Sequence, residues 1–391
     1  MCKSYTKLKL LLSLGVFFLP LLAGGCNQDS IFDYISEETA PTEAKIKGSP
    51  SKMVKAGNKL YIANGRIWEY DLDGANWVRS AGPGGYVVDV ASTSDSSGSV
   101  LYALTIDNTS TRVLKKNGTG WSPVAPDSDY PSIQNIFGAG DTLFATGAKR
   151  SGNDYAILSC KQPAEALVNP APIGNAILTG VGKAGGNYYF ATKGKGIYKA
   201  PDSDVSAISE ASATKDVPDG NGNSILAPVP MDMAGFLQTK ETDPIVGISK
   251  GGIIVYITGS DVTVYPTALG GTYTGALALM QSPDPQGIFD QLLLLGFKGS
   301  TSYKHGYVEV QFSSAAGTPD VTRRIPGANQ PSSIQKEQQY TSSLRRYPAT
   351  ALWVLQAPDP KSPSVIFAAT ANQGLYSYRI RDTDWEWNHE E

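Results

Sequence analysis

Histidine and cysteine are nearly absent from this chain, with two and three residues respectively. His305 and His389 lie far apart, and neither has a cysteine or carboxylate at ligand spacing. That argues against a histidine-based metal centre or catalytic triad. Cys160 follows the apolar stretch AILS and reads as a small buried hydrophobe. Cys2 and Cys26 lie near the start, so no internal disulfide is expected and the fold must rest on packing. Charged residues make up only 18% of the chain, the net charge is -3, and basic residues are scattered rather than striped. No nucleic-acid surface is expected from that distribution. No phosphate-binding loop, nucleophile elbow or His-Glu-x-x-His helix occurs. The run DVPDGNGNS, Asp216 to Ser224, fails as a calcium loop because the twelfth position from Asp219 is Pro230, where an EF-hand needs a bidentate Glu. Its Gly and Asn residues suit a turn. The paired carboxylates Glu37-Glu38 and Glu390-Glu391 sit near the ends of the chain, whereas glycosidase chemistry needs two acids held in a cleft. No cofactor is expected.

What is present begins with a processing signal. Lys3, Lys7 and Lys9 precede an apolar run, LLLSLGVFFLPLLA from Leu10 to Ala23, that meets Gly24-Gly25-Cys26. A charged segment, a short apolar segment and small residues before a cut site make a secretory signal. The run is shorter than the roughly 20 residues of a spanning helix. A cysteine directly after two glycines resembles a bacterial lipobox, with Leu22 one position further upstream than the common pattern. The resemblance implies lipidation of Cys26 and a membrane anchor made of acyl chains. Residues 1–25 are read as the lipoprotein signal peptide. Residues 26–50, acidic and carrying Pro41 and Pro50, are read as a flexible tether.

From residue 51 to 391 the chain repeats. With 41% hydrophobic residues it can bury a core, and Gly 41 and Pro 25 point to many turns. The strands LYIAN, LYALT, LFATG and YYFAT place Tyr61, Tyr102, Phe144 and Tyr189 at separations of 41, 42 and 45 positions. IVGIS at Ile245, LLLLGF at Leu292 and IFAAT at Ile366 complete seven copies. A period of about 40–50 residues, with four short strands per copy, is that of propeller blades. The following strand is introduced by Gly and carries an aromatic, as in NGRIW, GKGIY, KGGIIVY and QGLY. A turn then leads to Trp77, Trp121 and Trp385, each seven positions after Tyr70, Leu114 or Tyr378. The equal spacing suggests one shared packing role for the three indoles.

The expected fold is therefore all-β, a seven-bladed β-propeller of four-stranded antiparallel blades. In blade one strands are placed at 51–56, 59–63, 66–71 and 76–80. The inner strands of blades four to six, GNAILTG, PVPMDM and ALALMQ, are weakly patterned. An eight-bladed ring or a split pair of sheets is the alternative. The layout resembles propeller families generally, including kelch-type repeats and the outer-membrane assembly lipoproteins built on quinoprotein-like blades. Most copies lack the kelch Gly-Gly doublet, no quinoprotein repeat is complete, and no sialidase Asp-box occurs. The resemblance implies a fold and leaves the activity open.

In a four-stranded blade, the turn between the second and third strands emerges on the same side as the link to the next blade. Two unusual links fall there, Ala213 to Ser224 and Pro326 to Thr350. The second carries Lys336, Tyr340, Arg345 and Arg346, and the blade-six loop adds Lys298, Tyr303, Lys304 and His305. This basic-aromatic group is the candidate binding face, since Tyr and Arg are enriched at binding hot spots. The function expected is a non-catalytic, protein-binding scaffold held by lipid at the cell envelope, at the outer membrane and monomeric in itself. Asn27 after Cys26 favours that address, since Asp there is the usual inner-membrane retention signal. The alternative is a carbohydrate-binding or carbohydrate-active propeller, which would show clustered carboxylates and exposed aromatics at the ring centre.

Overall fold

The computed structural model describes residues 45–74, 76–95, 98–108, 110–150, 154–169, 173, 175–215, 217–218, 224–265, 271–281, 291–299, 306–312, 322–324, 344, 347–357, 364–381 and 384–390. No α-helix occurs among them. The strands form seven antiparallel blades in a ring, a seven-bladed β-propeller. Blade one comprises Val54–Ala56, Lys59–Ala63, Ile67–Asp71 and Trp77–Arg79, from the innermost strand outward. Blade seven comprises Ala349–Leu355, Val365–Thr370, Gly374–Arg381 and Asp384–His389. Blade one matches the sequence placement within a few residues. Blade three has three strands, Ser132–Ala139, Thr142–Ala148 and Tyr155–Lys161, and a bridge between Ser159 and Val168 stands in for the fourth.

The seven repeated motifs are the second strands of the seven blades. Alternate residues of a strand point to opposite faces, and here both faces are covered by a neighbouring blade. In Lys59–Ala63, Leu60 and Ile62 pack toward blade seven while Tyr61 and Ala63 pack toward blade two. In blade four, Asn187–Lys193 sends Tyr188 and Phe190 toward blade three and Tyr189 and Ala191 toward blade five. Burial on both sides explains why these strands read as continuous apolar runs without alternation. Tyr61, Tyr102, Phe144, Tyr189 and Phe367 each face the following blade. Among the described residues a separate hydrophobic cluster fills each of the seven junctions between blades.

The innermost strands obey a different rule. Neighbouring inner strands approach closely, and at some positions backbone meets backbone with no room for a side chain. A Cβ on Gly138 in blade three would collide with the Ser92 carbonyl of blade two. Gly235 and Gly275 face each other in the same way across blades five and six. Hence Ile177–Ala184, Met233–Leu237 and Thr272–Gln281 carry small residues where a half-buried strand would alternate, and the blade-five strand begins at Met233, the last residue of PVPMDM, rather than covering that run.

The ring closes at blades seven and one without strand exchange, but with help from the segment ahead of blade one. Residues 45–50, read from sequence as the end of the tether, lie on the propeller. The Gly374 N–H donates to the Gly48 carbonyl at 2.7 Å and the Leu375 N–H to the Ile46 carbonyl at 3.0 Å. Lys45 N–H reaches the Glu390 carbonyl at 2.9 Å, and Ile46 is fully buried. Between the two blades Tyr70, Trp77 and Phe367 form a cluster of three rings with centroids 5.1–5.4 Å apart.

The three tryptophans are not equivalent, which corrects the sequence reading. Trp77 pairs across the ladder with Tyr70, but Leu114 pairs with Pro123 and Tyr378 with Trp387, nine positions on. The hairpins of blades two and seven turn one residue later relative to these markers. Equal spacing in sequence therefore places Trp121 opposite Lys116 and Trp385 opposite Ile380. Trp387 is the indole buried at the blade six–seven junction, against Tyr307 and Tyr378. Trp121 is half-exposed and donates its indole N–H to the Ala81 carbonyl at 3.2 Å. Trp77→Ala should therefore cost about 3–5 kcal/mol, read by urea denaturation. Trp121→Ala should cost about 1 kcal/mol, in the range of a mildly placed surface group. Equal losses for the two would contradict this register.

Candidate functional site

The seven innermost strands enclose an axial channel of about 540 Å³. Its walls mix small or apolar residues, among them Val54, Ala91, Val181, Ala276 and Ala351, with neutral polar ones such as Gln134, Thr179, Gln238 and Thr274. Phe137, Phe236 and Trp353 line it and are half-exposed. Its described charged residues are Lys52, Lys55 and Asp89, and two of them pair. Lys52 Nζ lies 2.5 Å from Asp89 Oδ2 and 4.5 Å from the centre of the Phe137 ring. Asp89 also accepts the N–H groups of Val90 at 2.9 Å and Ile136 at 3.2 Å. Burial lowers the Lys52 pKa, against the pull of Asp89. A carboxylate held by an ammonium and two amides is a structural tie between blades one, two and three, poorly placed for general acid–base work. Sequence reasoning missed this pair because its members lie 37 positions apart on inner strands, with no local motif to mark them.

The face bearing the blade links can be followed through its described residues. Lys298 is exposed near the end of the second strand of blade six, Gln291–Gly299. Tyr303, Lys304, His305, Lys336, Tyr340, Arg345 and Arg346 lie outside the described residues, as does Cys26. The residues flanking them meet. Leu344 is buried with Tyr307 in the cluster between blades six and seven. The Ala349 and Phe297 N–H groups both donate to the Gly306 carbonyl, at 2.8 and 3.1 Å. The ends of the blade-six loop and of the following link are thus tied together at the junction of blades six and seven.

The other unusual link is used structurally where it is described. Thr214 exchanges hydrogen bonds with Val262 on the edge strand of blade five, at 2.8 and 2.9 Å, and Lys215 pairs with Asp261 at 2.8 Å. Ala213 and Ala227 are buried against the same blade. Covering a sheet edge in this way blocks pairing with another chain.

On the opposite face a charged network joins blades three, four and five. Lys183 Nζ contacts Asp202 at 2.9 Å and Glu241 at 2.7 Å, and Lys161 contacts Asp202 at 3.2 Å. Tyr188 donates to Asp141 at 3.0 Å. Burial opposes the charge on Lys183, but its bonds to Glu241 and Asp202 outweigh this and raise its pKa. The hydrogen bond from Lys183 holds the Asp202 carboxyl below its usual value. Among the described residues no group of three or more side chains could hold a metal ion.

The model of the TP013X lipoprotein family matches residues 1–229, more than half of the chain. The chain belongs to the TP013X lipoprotein family. Another lipoprotein, an uncharacterized one from Treponema pallidum (strain Nichols), is 44% identical over 52 residues. That stretch spans 13% of this chain and 14% of the relative. Three solved structures are similar at low identity. The WD40 β-propeller domain of Doa1 has a TM-score of 0.46 at 9% identity, covering 87% of this chain and 95% of its own. YCF48 bound to D1 peptide has 0.49 at 10% identity, covering 87% and 94%. Kuenenia stuttgartiensis hydrazine synthase has 0.48 at 12% identity, covering 89% and 99%. What those proteins bind or catalyse does not carry over to this family member.

Two outcomes follow from the charged groups. A double-mutant cycle with Lys52→Met and Asp89→Asn should give a coupling of about 0.5–3 kcal/mol in denaturant unfolding; additive effects would mean that the pair holds nothing together. Asp202 has a lower pKa folded than unfolded. Its stabilisation is therefore present above the unfolded carboxylate value, about 4, and is lost as pH falls through the folded value. Asp202→Asn should flatten the fall in melting temperature below about pH 4, and curves of equal slope for variant and wild type would refute the role given to this network.

Proposed function

We propose that this lipoprotein is a non-catalytic, protein-binding scaffold at the bacterial cell envelope, held at the outer membrane by acyl chains on Cys26. The observation that carries this reading is the axial channel. Among its described lining residues Asp89 is the one carboxylate, and it is occupied by Lys52 and by two backbone amides. A carbohydrate-active propeller would need two carboxylates available in a cleft. The half-exposed aromatics of the channel would suit a sugar ring, but without such acids they fit packing equally well. The proposed binding face is the basic-aromatic group Lys298, Tyr303, Lys304, His305, Lys336, Tyr340, Arg345 and Arg346. Its support is the convergence of the flanking residues Gly306, Leu344 and Ala349 at the junction of blades six and seven.

Detergent phase separation of whole cells should place the wild type in the detergent phase and Cys26→Ser in the aqueous phase. In the same cells, crosslinking followed by mass spectrometry should identify a protein partner. Capture should weaken with Arg345→Glu/Arg346→Glu while the melting temperature stays unchanged. Equal partitioning would remove the anchor, and undiminished capture would move the binding face elsewhere.

A further inference from the structure

The two faces of the ring carry opposite charge. Turns between second and third strands bear Arg66 in blade one, Arg150 in blade three, Lys195 in blade four and Lys250 in blade five. Lys298 adds a cation near the corresponding position of blade six. The acids Asp107, Asp154 and Asp232 on this side are each ion-paired, to Arg112, Lys149 and Lys250. The blade links add Asp127 and Asp129, fewer than the cations Arg66, Arg150, Lys195 and Lys298, so the face is basic on balance. The turns on the other side bear Asp73, Asp141, Asp202, Asp204 and Glu241, against Lys161 and Lys240.

The chain joins the propeller on the basic face. Residues 45–48 run beside Gly374 and Leu375, at the start of the third strand of blade seven, and Ser49 bonds to Asn372 in the adjoining turn. Next to this point two large apolar side chains project into solvent. Tyr86 is 58% exposed and Ile106 37% exposed, and they pair across the ladder of blade two. Gly65, in the turn of blade one, exchanges backbone hydrogen bonds with Val87 and so ties that turn to Tyr86. The path from the joining segment to this apolar pair thus crosses one blade.

We propose that the basic face rests against anionic lipid head groups, with Tyr86 and Ile106 seated at the level of the interface. The proposal rests on the anchoring of Cys26. A stretch of 18 residues separates Cys26 from Lys45, and such a linker has an average reach of about 21–25 Å if flexible. The opposite face lies further out by the length of an inner strand, about 30 Å for ten residues. Attachment on one face, cations on that face and an aromatic-aliphatic pair beside the attachment all select the same orientation. Tyrosine suits the head-group layer because its ring is apolar and its hydroxyl is wet. Basic residues add electrostatic attraction that a lipid anchor alone lacks. A partner that binds through the blade-six loops would then itself have to sit at the membrane surface.

The test uses the whole lipoprotein reconstituted into phosphatidylcholine vesicles with and without phosphatidylglycerol. One fluorophore is attached at Tyr86→Cys or Lys195→Cys on the basic face, or at Ser203→Cys on the acidic face. Cys160 is buried and contributes little labelling, and unsubstituted protein serves as the blank. A quencher carried on the lipid head group should reduce emission from positions 86 and 195, more strongly with phosphatidylglycerol, and should leave position 203 unchanged. If the vesicles float with the protein but all positions are quenched alike, or 203 more, the orientation is overturned and the anchor stands. If the protein does not float with the vesicles, the anchor fails and the orientation falls with it. The Lys195 position keeps the test decisive should the Tyr86 variant fail to fold.

Discussion

Everything in this ring depends on how closely seven inner strands can approach one axis. At Gly138 against Ser92, and at Gly235 against Gly275, main chain touches main chain and any β-carbon would collide. That contact sets the radius of the channel, and the radius sets the spacing of the blades further out. Where the blades splay apart, aromatic rings fill the widening wedge, with Tyr102, Phe144 and Tyr189 each turned to the next blade. Small residues inside and large ones outside are two consequences of one geometry. Close packing of this kind tolerates little change in volume.

The same geometry determines what the channel is. Its described lining holds one carboxylate, Asp89, among apolar, aromatic and neutral polar side chains and two lysines. The charges of Lys52 and Asp89 serve to bind three blades together. Chemistry on such a scaffold must come from the loops at the two faces, where the sequence is under no packing constraint.

Much of the fold was legible because burial on both faces leaves a strong mark on the second strands. LYIA, LFAT and IFAAT are apolar throughout, and their copies fall in all seven blades. The inner strands were harder to read because glycine and alanine at the axis give no periodic signal. The tryptophan register was misread because a one-residue shift of a hairpin turn is invisible when only spacing is counted; Trp387, two residues beyond the expected Trp385, turned out to be the buried indole. The Lys52–Asp89 pair left no trace in sequence, since its partners meet only when the ring forms. Of the face drawn from the loops of blade six, Lys298 lies among the described residues, exposed as expected of a residue near a turn.

The joining segment has a consequence for the timing of folding. Ser49 bonds to Asn372 across a sequence separation of 323 residues, and Lys45 bonds to Glu390, next to the last residue of the sequence. A chain synthesised in order, first residue leading, has no partner for Ile46 until blade seven has been made. During that whole interval the first residues of the propeller remain unsealed, and the aromatic trio of Tyr70, Trp77 and Phe367 lacks its third ring. Closing so long a loop is entropically slow and late. A chain truncated before Phe367 would leave the flank of blade one uncovered, with Tyr70 and Trp77 exposed on the side that blade seven otherwise seals.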